Sequence, residues 1–176
     1  MAIFLGIDGG GTTTSCRVGD EQGVLGAGKS GASNIVRVGE KKARQSIVEA
    51  IHQACAAATV EPQQIARTFA GVAGGARPEV AEAIRKIIGE IVPGDAEVAG
   101  DMVIALHAAF GKGPGIVVIA GTGSMAYGRN LHGKIARAGG WGAACSDEGS
   151  GYWIGRAAVA ATLRAMDENS HFKSSI

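Results

Sequence analysis

The sequence has no block of basic residues. Lysine and arginine number 17 against 16 acidic residues, and the formal net charge is +1. Duplex nucleic acid has to be met by clustered cations that neutralise its phosphates, so nucleic acid is not expected as a partner. Cysteine is scarce as well. Cys16, Cys55 and Cys145 form an odd set without a CxxC pair, which speaks against a disulfide framework or a zinc site and for reduced thiols in the cytoplasm. His52, His107, His132 and His171 show no metal-ligand spacing. No apolar run approaches the roughly 20 residues of a membrane helix, and the opening MAIFLGID lacks the charged flank and long apolar stretch of a signal peptide. The expectation is a cytoplasmic protein without a membrane partner.

Glycine, by contrast, is abundant: 29 of 176 residues, against a usual share of roughly 7%. The glycines cluster between apolar runs and form no linker-like or collagen-like repeat. Glycine is favoured where backbone must approach a ligand closely or adopt a positive φ, so a protein that grips something with its main chain is indicated.

The hydrophobic pattern predicts an α/β fold. Residues 2–8, 12–18 and 24–29 read as three adjacent antiparallel strands. A loop at 30–34 leads to a helix over about 39–58, with Ala43, Ile47, Ile51 and Ala54 on its apolar face and Lys41, Lys42 and Arg44 towards solvent. A strand at 65–72 is followed by Ala73-Gly74-Gly75, and Pro78 suits the first turn of a helix running to about 91. A short strand ends at Asp101, where a short helix to Phe110 begins. Gly111-Lys112-Gly113-Pro114-Gly115 breaks the pattern, and a lobe boundary is placed there, dividing 1–112 from 113–176. Strand, glycine turn, strand, turn and strand then recur over 115–138, and a helix is expected over 150–166, with the last residues frayed.

Two glycine turns carry the chemistry. IDGGGTTT offers Gly9, Gly10, Gly11 and Thr12, whose amides and hydroxyl can converge on an anion, and Asp8 stands where it could hold Mg²⁺ directly or through water. AGTGS offers Gly121, Thr122, Gly123 and Ser124 without a carboxylate. Facing each other across a cleft, two such turns would cradle a polyphosphate. Residues 121–126 also fit a loose G-x-G-x-x-A, but that dinucleotide fingerprint requires a helix next and a strand is read there. No GxxxxGK[ST] occurs, which excludes a P-loop. Taken alone, Asp101 reads as a helix-capping acid or as a carboxylate on the rim of a sheet.

GIDGGGTTT, the isolated Asp101, AGTGS and GGWGAACSDEGSGYWIG together resemble the N-acetylglucosamine kinase family and the wider BadF/BadG/BcrA/BcrD-type ATPases of the actin/hexokinase/Hsp70 superfamily, over essentially the whole chain. The resemblance implies an actin-like (ribonuclease H-like) α/β fold with a mixed sheet, helices on both faces and an incomplete second lobe. It implies ATP and Mg²⁺ as cofactors, the two glycine turns on the ATP phosphates, Asp8 at the magnesium and Asp101 as general base. It places Ser33, Asn34, Gly74, Gly75, Asp147 and Glu148 at a small-molecule sugar, so that the expected activity is phosphorylation of N-acetylglucosamine or a related amino sugar. Ile35 and Val36 follow Asn34 where N-acetylglucosamine kinases often carry an aromatic against the acetyl group, which leaves free glucosamine or another sugar open. Trp141 is read as lining the pocket or as a core residue, Tyr152 and Trp153 as packing residues. A homodimer is also left open. The family's adenosine-binding glycine motif and most of its second lobe lie beyond a position like Ile176, so this chain alone is expected to turn over poorly. Two other readings remain: an ATPase activating a dehydratase or reductase, and a non-enzymatic sugar-sensing regulator.

Overall fold

A computed structural model describes residues 1–169; His171 and the expected fraying of the chain end lie outside them. The chain divides into two compact units, Met1–Ala108 and the part from Ala109 onward.

In the first unit, β1 (Ile3–Gly9), β2 (Thr14–Gly19) and β3 (Val24–Ser30) form the antiparallel meander read from the sequence. The second hairpin is closed by Asp20, whose Oδ1 accepts the amides of Gln22 and Gly23 at 2.7 and 3.1 Å, as Asp commonly does in turns. β4 (Ile65–Val72) and β5 (Asp95–Gly100) run parallel to β1, giving a mixed sheet of order β3-β2-β1-β4-β5. Strand side chains alternate between faces. Leu5, Ile7, Cys16, Val18, Ala70 and Val72 therefore enter one core, packed with Ile47, Ile51, Ile84, Ile87 and Ile88. These last residues come from α2 (Glu40–Ala58) and α3 (Pro78–Gly89). The other face takes α4 (Asp101–Phe110), whose Ile104 rests directly on Gly71. Because Gly71 pairs with Asp8, the pleat puts Asp8 on this same α4 face.

Two pieces were not foreseen. Residues Ile35–Val38 form a one-turn helix, α1, capped by the Asn34 side chain. Pro62–Gln64 form a 3₁₀ turn in which the Gln64 side chain accepts the Glu61 amide at 2.8 Å. Both are too short for a periodic signal.

α2 lies unusually close to β3. A Cβ on Gly28 would strike the Ala50 carbonyl oxygen, and one on Gly26 would strike the Ala58 amide. Ala50, Ala54 and Ala58 follow one another at i, i+4 spacing, so a seam of small side chains meets the glycines at 26 and 28 of the strand. An ion pair between Arg44 and Glu90 ties α2 to the residue that caps the end of α3.

In the second unit, β6 (Gly115–Ala120), β7 (Ser124–Arg129) and β8 (Ile135–Gly139) form an antiparallel meander of order β6-β7-β8. The Arg129 guanidinium donates to the carbonyls of Gly111 and Gly113 at 2.5 and 2.7 Å, fixing the segment that leads into β6. α5 (Gly151–Asn169) follows. Tyr152 and Trp153 do not pack as expected: they are exposed, together with Ile154, Val159, Leu163 and Met166 on the same helix. Among the described residues no helix is long and apolar enough to cross a membrane.

Gly28→Ala forces the α2 backbone to move, and overpacking of this kind costs about 1–3 kcal/mol. Gly89→Ala adds a Cβ that meets nothing within 4 Å and removes a helix glycine, so it is expected to be neutral or to stabilise by up to about 1 kcal/mol. Chemical denaturation of the two variants checks the contrast; equal midpoints would refute the close seam.

Candidate active site

The first glycine turn joins β1 to β2. Gly10 donates its amide to the Thr13 carbonyl at 2.8 Å, so this amide is spent within the turn. The amides of Gly11, Thr12 and Thr13 have no partner among the described residues, and the Thr12 and Thr13 hydroxyls stand 3.3 Å apart beside them. The free donors therefore begin at Gly11, not Gly9, and run one residue past the expected group, to Thr13. None of Gly9, Gly10 and Gly11 adopts a left-handed φ. They are glycines for space. A Cβ on Gly9 would lie 2.5 Å from Ser33 Oγ and 2.7 Å from Val72 Cγ1, and one on Gly11 would lie 3.2 Å from the Arg37 guanidinium.

The carbonyls of the turn are bound from behind. Gly9 O accepts the Ala73 amide at 2.7 Å, and Gly10 O accepts the amides of Ser33 and Asn34 at 3.1 and 3.2 Å. Gly11 O accepts Arg37 Nη1 at 3.3 Å. Ser33, Asn34, Gly74 and Gly75, read from the sequence as substrate contacts, thus lie on segments attached to the phosphate turn itself. Ser33 is buried, and its hydroxyl has no hydrogen-bond partner. Asn34 uses Oδ1 to cap α1, accepting the Arg37 amide at 3.3 Å. Gly75 spends its amide on the Val72 carbonyl at 2.8 Å, and a Cβ there would strike the Ala99 carbonyl. Gly74 has a left-handed φ of 85°.

Asp8 and Asp101 share a rim. Asp8 is exposed at the end of β1. Asp101 opens α4 directly after β5, and its Oδ1 accepts the Met102 amide at 3.0 Å. Burial pushes the Asp101 carboxyl above the ordinary carboxylate range; the Met102 hydrogen bond opposes this and the Asp8 charge adds to it. Asp8 has no side-chain partner among the described residues, so an exposed carboxylate with a second one nearby fits a magnesium ion that keeps most of its waters.

In the second unit, the glycine turn is covered by the loop 146–150. Ser124 Oγ donates to the Glu148 carbonyl at 2.7 Å, and the Gly151 amide donates to the Gly121 carbonyl at 2.8 Å. Asp147 is buried at a left-handed φ of 68°. Its Oδ2 lies 2.8 Å from where a Gly123 Cβ would stand, so a side chain at Gly123 would require the Asp147 carboxylate to shift. The Thr122 and Gly123 amides are free among the described residues. Glu148 is exposed and accepts the Ser146 hydroxyl at 3.4 Å. Trp141 is 73% exposed, which overturns its reading as a core residue, and the Arg137 guanidinium stacks 4.1 Å from its ring centre.

The sequence reading missed Arg37. Its signal was present: it is the single charged residue of SNIVRVG, three positions after the cap residue Asn34.

The sequence pattern of the BadF/BadG/BcrA/BcrD ATPase family matches residues 5–171. The N-acetylmuramic acid/N-acetylglucosamine kinase of Clostridium acetobutylicum is 36% identical over 170 residues, covering 96% of this chain and 56% of the kinase. The chain thus spans about half the length of the curated relatives it matches. A proposed N-acetylglucosamine kinase of Chromobacterium violaceum, known as a crystal structure, superposes with a TM-score of 0.77 at 26% identity, covering 98% of this chain and 61% of that one. The ROK hexokinase of Thermus thermophilus superposes with a TM-score of 0.63 at 19% identity, covering 97% and 70%. The fold is that of the actin-like ATPases.

Ser33→Ala removes a buried hydroxyl that bonds to nothing. An unsatisfied buried polar group costs about 1–3 kcal/mol, so this variant is expected to be more stable than the parent. Gly9→Ala is expected to lose stability through the clash with Ser33 and Val72. Thermal unfolding of both variants reads the two signs.

Proposed function

Because the chain belongs to the BadF/BadG/BcrA/BcrD ATPase family, we propose that it carries the phosphate-handling and base-bearing part of an ATP-dependent kinase for N-acetylglucosamine or a related amino sugar. The observation that carries this reading is Asp101. A half-buried carboxylate stands at a strand–helix junction, and the same sheet ends β1 in a turn with unspent amides.

In this reading the Gly11 and Thr12 amides, with Thr122, Gly123 and Ser124 from the second turn, meet the ATP phosphates. Gly9, Gly10 and Gly121 shape the turns. Asp8 would hold Mg²⁺, which supplies neutralisation of phosphate charge. The Asp101 carboxylate accepts the proton of a sugar hydroxyl, whose oxygen bonds to the γ-phosphorus as the bond to ADP breaks. Phosphoryl transfer asks the protein mainly for positioning and charge neutralisation, with a base orienting the nucleophile. Oδ1 of Asp101 is held by the Met102 amide, which fixes the carboxylate's direction and leaves Oδ2 for the hydroxyl. The buried Ser33 hydroxyl, Asn34, the Gly74–Gly75 turn, Asp147 and Glu148 would orient the sugar, since hydroxyls and carboxylates donate and accept in fixed directions.

Two of the three thiols are unsuited to bridging a metal cluster, as an activator of the alternative kind would require, and the third, Cys145, is exposed. Cys16 is buried, with a pKa that burial and then Cys55 push up to about 12, and Cys55 is buried and shifted upward as well. Neither offers an accessible thiolate.

Asp101→Asn in the full-length protein is expected to lower turnover by about 10²–10⁴-fold, the usual worth of general-base assistance, while Mg·ATP still binds. A coupled ADP-release screen against N-acetylglucosamine, glucosamine, N-acetylmuramic acid and glucose reads the substrate. Turnover near that of the parent would remove Asp101 from the mechanism. The sign of the stability effect is also fixed. A carboxyl raised on folding binds its proton more tightly in the native state, so its contribution is full below the ordinary aspartate range and is lost as pH rises through the raised value. The Asn variant is therefore expected to be less active yet more stable than the parent at neutral pH, and its stability should fall less between acid and neutral pH.

A further inference from the structure

We propose that Arg37 is the cation of the first phosphate turn, a binding residue that meets the negative charge of the nucleotide polyphosphate; this rests on the kinase reading above. Electrostatic bookkeeping around the turn motivates it. The first unit presents two carboxylates on this rim, Asp8 and Asp101, and Asp8 lies close enough to add to the upward shift of Asp101. A triphosphate approaching such a rim is repelled unless cations offset both charges. Magnesium offsets part of the total and leaves an excess of negative charge.

Arg37 stands at the turn. Its Nη1 donates to the Gly11 carbonyl at 3.3 Å, and a Cβ on Gly11 would lie 3.2 Å from the same nitrogen. The side chain is exposed and makes no ion pair, and its remaining N–H donors have no partner among the described residues. A guanidinium presents several donors in a rigid fork that matches phosphate oxygens. One donor fastens it to the turn and the others stay free, beside the unspent amides of Gly11, Thr12 and Thr13. The backbone holds it there twice over: Gly10 O binds the amides of Ser33 and Asn34, and Asn34 caps the helical turn that bears Arg37. Arg44, by contrast, is committed to Glu90.

The test uses the full-length protein with R37M and R37K, and calorimetric binding of Mg·ATP, inorganic tripolyphosphate and adenosine. R37M is expected to weaken Mg·ATP and tripolyphosphate by about tenfold, in the range of a charge-assisted hydrogen bond, and to leave adenosine unchanged. Its Mg·ATP affinity should depend less on salt than the parent's, because an exposed charge contact is screened. R37K should recover part of the lost affinity. In kinetics the loss should fall on the KM for ATP and spare the KM for sugar. Mg·ATP affinity equal to the parent's in R37M overturns the assignment. So does a loss shared equally by ATP, adenosine and sugar, which would mark Arg37 as a structural clip. A parent protein that binds neither Mg·ATP nor tripolyphosphate overturns the kinase reading along with it. A parent that binds both, matched by R37M, overturns Arg37 alone.

Discussion

Three successive carbonyl oxygens organise the first unit's share of the site. Those of Gly9, Gly10 and Gly11 accept, in order, the Ala73 amide, the Ser33 and Asn34 amides, and the Arg37 guanidinium. Each carbonyl belongs to the same planar peptide group as the amide of the next residue. A donor on Gly10 O thus polarises the Gly11 N–H, and the Arg37 cation on Gly11 O polarises the Thr12 N–H, because hydrogen bonds in a chain strengthen one another. Gly11 and Thr12 own amides that remain unspent. The turn is wired so that what holds it from behind also sharpens its free donors. Those same contacts anchor the loops read as sugar-binding, so the proposed phosphate and sugar contacts share one small backbone scaffold.

This wiring requires atoms to be missing. Gly9 is squeezed between Ser33 and Val72, Gly75 against the Ala99 carbonyl, and Gly71 against Ile104. A single Cβ at any of these positions would separate the strand ends from the segments that hydrogen-bond to them. In the second unit the same logic puts Asp147 against Gly123. The glycine richness serves two ends, close packing at positions such as these and a positive φ at Gly23, Gly39, Gly74, Gly111, Gly133, Gly139, Gly140, Gly142 and Gly149.

Much of this was legible in the chain. The opening meander, the β4 limits and the strand–helix junction at Asp101 follow from alternation and from apolar runs ending at glycine. The four motifs pointed to the family that the comparisons support. What stayed hidden has physical reasons. α1 and the 3₁₀ turn are shorter than any helical period, so no periodic signal announces them. Trp141, read as pocket-lining or core, and Trp153, read as packing, are both exposed. Which amides of GGGT stay free depends on the register of the hairpin, where Gly9 pairs with Thr14. Motif spacing does not report that register.

Among the described residues the buried Thr68 hydroxyl on β4 lacks a partner, and two further polar groups that folding alone would not put where they are lie closer to the site. Ser33 keeps a buried hydroxyl without a partner, and Asp101 keeps a carboxylate that burial disfavours in its charged form. Both lower stability, and both lie on segments joined to the phosphate turn or to its sheet, which is where stability is commonly sacrificed to binding. The same view narrows the question of the sugar. Of the two residues after Asn34, Ile35 packs against the core cluster, whereas Val36 is exposed, with Cγ2 3.9 Å from where a Gly74 Cβ would stand. Only Val36 is placed to meet a substituent lying between the two loops. A valine covers less of an acetyl group than an aromatic ring does, and apolar stabilisation scales with the area removed from water. Under the proposed amino-sugar reading, any preference for an N-acetyl group over the free amine would then rest on hydrogen bonds and not on a stacked ring.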